Sequence, residues 1–130
     1  MSARVAILHG DQVSRPPLCS ILADAGYEPS AFVAGIGVHE VLRDLAPAAI
    51  ILDVPHDPST LHWSALAAVA HDATLRPIPF LACVPANDDA TPRQIAALGL
   101  PSLALVCKPV SPAALLARLR RLIGQTPRAS

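Results

Sequence analysis

Two opposite charges end two apolar runs in this chain. Asp53 directly follows Ala48-Ala49-Ile50-Ile51-Leu52, and Lys108 directly follows Leu103-Ala104-Leu105-Val106-Cys107. Only 15% of the residues are charged, so this placement is informative. If both runs are strands of one layered sheet, their ends converge and a carboxylate shares a rim with an ammonium. That pair suits phosphoryl transfer onto the carboxylate, which attacks while the lysine holds the arriving phosphoryl oxygens. The bland reading of the same pair is an ion pair that only holds the rim together. Two further loops reach the same rim: His9-Gly10-Asp11 after the first apolar run, and Val84-Pro85 after the fourth. His9, His56 and Asp53 together also suggest a site for a softer metal such as Zn²⁺, because imidazole suits that ion. Loop histidines are more commonly just solvated or hydrogen-bonded.

The elements that must position these residues alternate along the chain. Arg4 to Leu8 reads as a first strand. Ser14 can cap the helix that follows, and Pro16 and Pro17 fall in its first turn, where a missing N–H costs little. Leu18, Ile21, Leu22 and Ala25 repeat at helical spacing until Gly26. A weaker strand over Glu28–Ala34 precedes a second helical pattern, Val38, Val41, Leu42 and Leu45, that stops at Pro47. Ala48 to Leu52 is a third strand, apolar on both faces. A helix is expected from near Ser59 to about Leu75, then a strand over Ile78–Val84. Thr91-Pro92-Arg93-Gln94 reads as a capping box that opens a short helix ending at Gly99. Leu103 to Cys107 is the fifth strand. Ser111-Pro112 opens a last helix with Leu115, Leu116, Leu119, Leu122 and Ile123 on one face, ended by Gly124.

Strands and helices in strict alternation imply βαβ units and a parallel sheet. Strands apolar on both faces require helices on both sides. Right-handed crossovers then give an α/β fold: a doubly wound five-stranded parallel sheet flanked by five helices, a three-layer sandwich. In such sheets ligands gather beyond the carboxyl ends of the strands. That is where Asp53, Lys108 and the His9-Gly10-Asp11 loop fall.

Composition bounds the rest. The 130 residues suit one domain, 1–124, with a short polar tail over 125–130. Hydrophobic residues reach 52%, enough for a core and too many for a disordered chain. Lys plus Arg and Asp plus Glu are 10 each, so no global attraction to nucleic acid or to an anionic membrane follows. With one Trp, one Tyr and two Phe, a stacking platform for single-stranded bases is not expected either. Cys19, Cys83 and Cys107 are widely spaced and form no CxxC pair, so each reads as a small buried hydrophobe. Trp63 reads as half-buried packing, Ile95 and Leu98 as core-facing, and Arg118, Arg120 and Arg121 as a solvent face. No apolar run approaches the roughly 20 residues that span a bilayer. The N-terminus has no signal-peptide layout, so a cytoplasmic protein is expected.

At these positions the sequence resembles the CheY-like receiver domains of response regulators in bacterial two-component systems. The resemblance covers about the whole chain. It is carried by Val5-Ala6-Ile7-Leu8-His9-Gly10-Asp11 with Arg15 and Gly26-Tyr27, and by Pro47-Ala48-Ala49-Ile50-Ile51-Leu52-Asp53. Ile78-Pro79-Phe80-Leu81-Ala82-Cys83-Val84 and Val106-Cys107-Lys108-Pro109 with Ser111-Pro112 complete it. The resemblance implies that Asp53 is the phosphoacceptor and Lys108 the lysine that contacts the phosphoryl group. It implies no enzymatic turnover beyond self-phosphorylation from a phosphodonor. It also implies a histidine kinase or phosphotransfer protein as donor, and a homodimer face formed by the fourth helix, fifth strand and fifth helix.

The departures are equally specific. The family's two adjacent acidic residues after the first strand align with His9 and Gly10, and Asp11 falls one position late. The Ser or Thr after the fourth strand aligns with Val84, and the aromatic switch residue of the fifth strand with Leu105. Val54-Pro55-His56-Asp57-Pro58 lacks the family's glycine. Mg²⁺ wants hard oxygen ligands in near-octahedral array. Asp11, Asp53 and a backbone carbonyl at Pro55 offer few of them, so a weak or absent Mg²⁺ site is expected. The alternative function is a phosphorylation-independent pseudo-receiver that acts as a protein-interaction or dimerisation module. A flavodoxin-like nucleotide binder is a third option, but the loop after the first strand lacks the GxGxxG or GxxxxGKS pattern.

Overall fold

The computed structural model describes residues 3–9, 18–33, 37–53, 60–84, 90–107 and 111–125. Five strands alternate with five helices. They are β1 (Arg4–His9), α1 (Leu18–Asp24), β2 (Glu28–Val33), α2 (Val38–Leu45), β3 (Ala49–Asp53), α3 (Thr60–His71), β4 (Phe80–Val84), α4 (Ala90–Ala96), β5 (Leu103–Cys107) and α5 (Pro112–Gln125). Every strand pair is parallel and the sheet order is β2-β1-β3-β4-β5. This is the doubly wound five-stranded sheet with helices on both sides that the alternation implies.

The strand residues sort by parity onto two faces, because successive side chains point to opposite sides. Ala6, Leu8, Ile50, Leu52, Phe80, Ala82 and Val84 pack with Leu42 of α2, Leu66 of α3 and Ile95 of α4. Val5, Ile7, Ile51, Leu81 and Cys83 pack with Leu22 of α1 and with Leu115 and Leu119 of α5. The layers are therefore α2, α3 and α4 on one face and α1 and α5 on the other. Every residue of β4 is buried, whereas β5, at the sheet edge, is half-buried. Trp63 and Leu98 are half-buried against the first cluster and Ile95 is fully buried in it, as expected. Burying a Leu such as Leu119 fully is worth about 1.5–3 kcal/mol, so burial of these two clusters is the main favourable term in folding.

Local signals place the ends. Gly26, at φ 95°, ends α1: its N–H bonds the Ala23 carbonyl at 3.1 Å, and the Tyr27 N–H bonds the Leu22 carbonyl at 3.0 Å. That is the Schellman closure, which needs a left-handed residue at this point. Ser111 caps α5 as expected, its Oγ accepting the Ala114 N–H at 3.1 Å. The Ser14 cap with Pro16 and Pro17 lies outside the described residues.

Several boundaries differ from the sequence reading: β1 takes in His9, and β3 runs Ala49–Asp53 rather than 48–52. Helix α3 stops at His71, not near Leu75, because Asp72 Oδ1 accepts the N–H groups of Thr74 at 2.9 Å and Leu75 at 3.3 Å. Such a side chain competes with the helical carbonyls and turns the chain. Strand β4 starts at Phe80, not Ile78: the Ile78 N–H is held in the turn by the Leu75 carbonyl, and Pro79 has no N–H to give. Helix α4 starts at Ala90, so Thr91 is not its cap but sits inside its first turn at 3% exposure. Helix α5 runs through Gly124 to Gln125.

Candidate functional site at the carboxyl edge of the sheet

Strands β1 and β3 are neighbours, but the chain leaves β1 toward β2 and leaves β3 toward β4. The connections therefore diverge, and a crevice opens between the carboxyl ends of β1 and β3. Leu8 is in register with Leu52, and the next residue on each strand is His9 and Asp53, the last of β1 and of β3. Asp53 thus stands at the topological switch point. A single apolar strand, Ala49 to Leu52, delivers it there, and that strand is at most 3% exposed.

Asp53 is in register with Cys83 of β4, and Cys83 with Val106 of β5. Strands are about 4.8 Å apart, so Asp53 and the level of Val106 are separated by about 10 Å across the sheet. Cys107, in register with Val84, is the last residue of β5, and Lys108 is the next in sequence. Asp11, Pro55, His56 and Lys108 lie outside the described residues. What is placed is the frame: β3 and β5 end at the same edge of one sheet, separated by β4.

Two described residues near this edge are aliphatic. Val84, which the resemblance aligns with the family's hydroxyl residue, is buried at 1% in the α2–α3–α4 cluster. Leu105, aligned with the aromatic switch residue, is half-buried against the same cluster. The buried polar side chain among the described residues is Thr91 of α4. Among the strand-end residues His9, Asp53, Val84 and Cys107, Asp53 alone offers anionic oxygens. Among the described residues no group of three His, Cys, Asp or Glu could hold a metal ion.

The cysteines divide. Cys83 is buried as the sequence suggests, but Cys19 is only partly covered and Cys107 is exposed. The expectation of three buried thiols is corrected for Cys107 because β5 is an edge strand and Cys107 its last residue. Residue types alone could not identify Cys83 as the neighbour of Asp53, since no local pattern encodes register. Arg118, Arg120 and Arg121 are exposed as expected, and Arg118 Nη2 also reaches the Leu105 carbonyl at 3.4 Å. No helix among the described residues is long and apolar enough to cross a membrane.

No protein-family model matches the chain, and no curated protein matches it in sequence. Solved structures do match. A Chloroflexus aurantiacus protein assigned as a response regulator superposes with TM-score 0.80 at 20% identity, over 96% of this chain and 100% of that one. The receiver domain of the sensor histidine kinase PA1611 from Pseudomonas aeruginosa, with magnesium coordinated in its active-site cleft, gives 0.78 at 21% identity, over 96% and 100%. The chemotaxis response regulator CheY4 of Vibrio cholerae gives 0.74 at 24% identity, over 94% and 99%. Strand order, helix layering and end-to-end superposition agree, and the chain has the CheY-like fold of response-regulator receiver domains.

Proposed function

We propose that this chain is a receiver module of two-component phosphorelay signalling, spanning 1–124 with a tail over 125–130, in which Asp53 is the phosphoacceptor. The observation that supports this is the position of Asp53 as the last residue of β3, at the β1/β3 switch point. In this reading a phosphohistidine on a histidine kinase or phosphotransfer protein is the donor. A carboxylate oxygen of Asp53 attacks phosphorus. The new P–O bond forms as the donor's P–N bond breaks, and the electron pair leaves on the imidazole. Lys108, the residue after β5, neutralises the phosphoryl oxygens. The chain is then a signalling module of the cytoplasm rather than an enzyme acting on other molecules.

Mg²⁺ normally neutralises charge in such transfers. Here the candidates to hold it are Asp11, Asp53 and the Pro55 carbonyl, and the site is weak or absent. Transfer is correspondingly slow. The test is to incubate the protein with Mg²⁺ and a small phosphodonor and to measure intact mass. A labile phosphoryl adduct is expected on the native chain and none on Asp53→Asn; a native chain that never gains the adduct would refute a working phosphoacceptor.

A second reading is favoured by Val84 and Leu105, which put core aliphatics where a hydroxyl and an aromatic ring would couple the site to the surface. In that reading the chain is a pseudo-receiver that binds through its α4–β5–α5 face irrespective of phosphorylation. Asp53→Asn then leaves association unchanged, and a clear change on that substitution decides for the phosphoacceptor.

A further inference from the structure

Arg118, Arg121 and Leu122 of α5, with Leu103, Ala104 and Leu105 of β5, line an open groove of about 360 Å³. Its floor is leucine and its rim is cationic. Helix α5 carries Arg118, Arg120 and Arg121 and no acidic residue, and α4 and β5 carry none either. The groove therefore calls for an apolar knob flanked by carboxylates.

Such a knob exists on a helix of the opposite face of the same molecule. Helix α2 presents Glu40, Val41 and Asp44 outward, all exposed, and Val41 is one of two large hydrophobics left exposed among the described residues, at 45%. Residues three and four apart are neighbours on a helix surface, so these side chains form one ridge. Arg43, the only cation of α2, is held by Asp72 at 3.2 Å, so the ridge stays negative. Among the described residues neither Glu40 nor Asp44 carries an ion pair of its own.

We propose that copies of this chain associate head to tail, with the α2 ridge of one copy seated in the β5–α5 groove of the next. Val41 packs on Leu103, Leu105 and Leu122, while Glu40 and Asp44 face Arg118 and Arg121. This rests on the reading of the β5–α5 face as a docking surface, names its occupant, and needs nothing of the Asp53 chemistry. A symmetric contact would instead set the α5 arginines of both copies against each other with no carboxylate from β5 or either helix to separate them. Helix α2 packs over β1 and β3 on one face of the sheet, and the groove lies at the β5 edge against α5 of the other face. One copy can therefore use both surfaces at once, and the contact is heterologous, giving rings or open chains rather than a closed dimer.

The test is sedimentation of the full chain at low ionic strength, with a native circular dichroism spectrum required of every variant. The native chain is expected to show an average mass that climbs past that of a dimer with concentration and falls with added salt. Glu40→Arg with Asp44→Arg, and Arg118→Glu with Arg121→Glu, each weaken association by about tenfold or more. An equimolar mixture of the two variants restores it, because each ridge then matches the other's groove. A native chain that stays monomeric at every concentration overturns the proposal, as does a mixture that fails to reassociate. If the ridge variant assembles like the native chain and only the groove variant does not, the face docks against its own copy. That outcome refutes the head-to-tail arrangement while leaving the docking surface itself standing.

Discussion

Asp53 and Cys83 are paired in register on adjacent parallel strands, so the candidate phosphoacceptor has a buried thiol as its backbone neighbour. The three thiols consequently differ in access. Under native conditions an alkylating reagent should modify Cys107 fastest, Cys19 more slowly, and Cys83 only when the sheet opens. Peptide mass mapping over a time course checks the order. Early labelling of Cys83 would mean that the edge beside Asp53 is not packed as described.

Asp72 uses both carboxylate oxygens. Oδ1 accepts the Thr74 and Leu75 N–H groups, and Oδ2 receives Arg43 Nε at 3.2 Å, with only 10% of the side chain exposed. Asp72→Ala should cost about 1–3 kcal/mol, because the turn loses its acceptor and Arg43 its partner. Arg43→Ala removes only a half-exposed cation and should cost no more than about 1 kcal/mol. Urea unfolding with an unchanged slope measures both; equal costs would place the stabilisation in the ion pair instead of the turn.

Ala46 closes α2 in the left-handed region at φ 51°, ψ 59°, with its N–H bonded to the Leu42 carbonyl at 2.9 Å. A non-glycine residue is strained there, by roughly 1–2 kcal/mol. Ala46→Gly relieves this but loosens the unfolded chain, which offsets part of the gain. A net stabilisation of about 0.5–1 kcal/mol is expected from chemical denaturation, and a destabilised variant would refute the strain.

Arg76 ties two turns together. Its Nη1 donates to the Ala70 carbonyl at 3.1 Å and its Nη2 to the Gly99 carbonyl at 2.8 Å, joining the end of α3 to the turn before β5. Only a planar fork spans both carbonyls. Arg76→Ala should lower stability by about 1–2 kcal/mol, and Arg76→Lys should recover less than half of that. Full rescue by lysine in a thermal melt would show that charge alone matters at this position.

Much of the architecture is readable from local patterns. Apolar runs of five residues, helical spacing of leucines, Gly26 and the Ser111-Pro112 pair each act within a few residues of themselves. Asp53 stands out because a carboxylate ends a run with no other charge. Two of the misread boundaries, the end of α3 and the start of α4, share one cause. Asp72 ended α3 and Thr91 went into α4 through contacts whose strength depends on what surrounds them, which local spacing does not reveal.

By itself the sequence determined the alternation of strand and helix, the two-faced apolar strands, and the residues that end them, since these follow from short-range periodicity and turn chemistry. Tertiary structure alone decided the strand order, the register that sets Asp53 beside Cys83, and the exposure of Cys107 on an edge strand. It also placed an acidic ridge and a basic groove on helices of opposite faces of the sheet. Those features arise from pairings between residues far apart in the chain, where backbone hydrogen bonds carry no residue identity and the choice among registers is made only when whole faces pack.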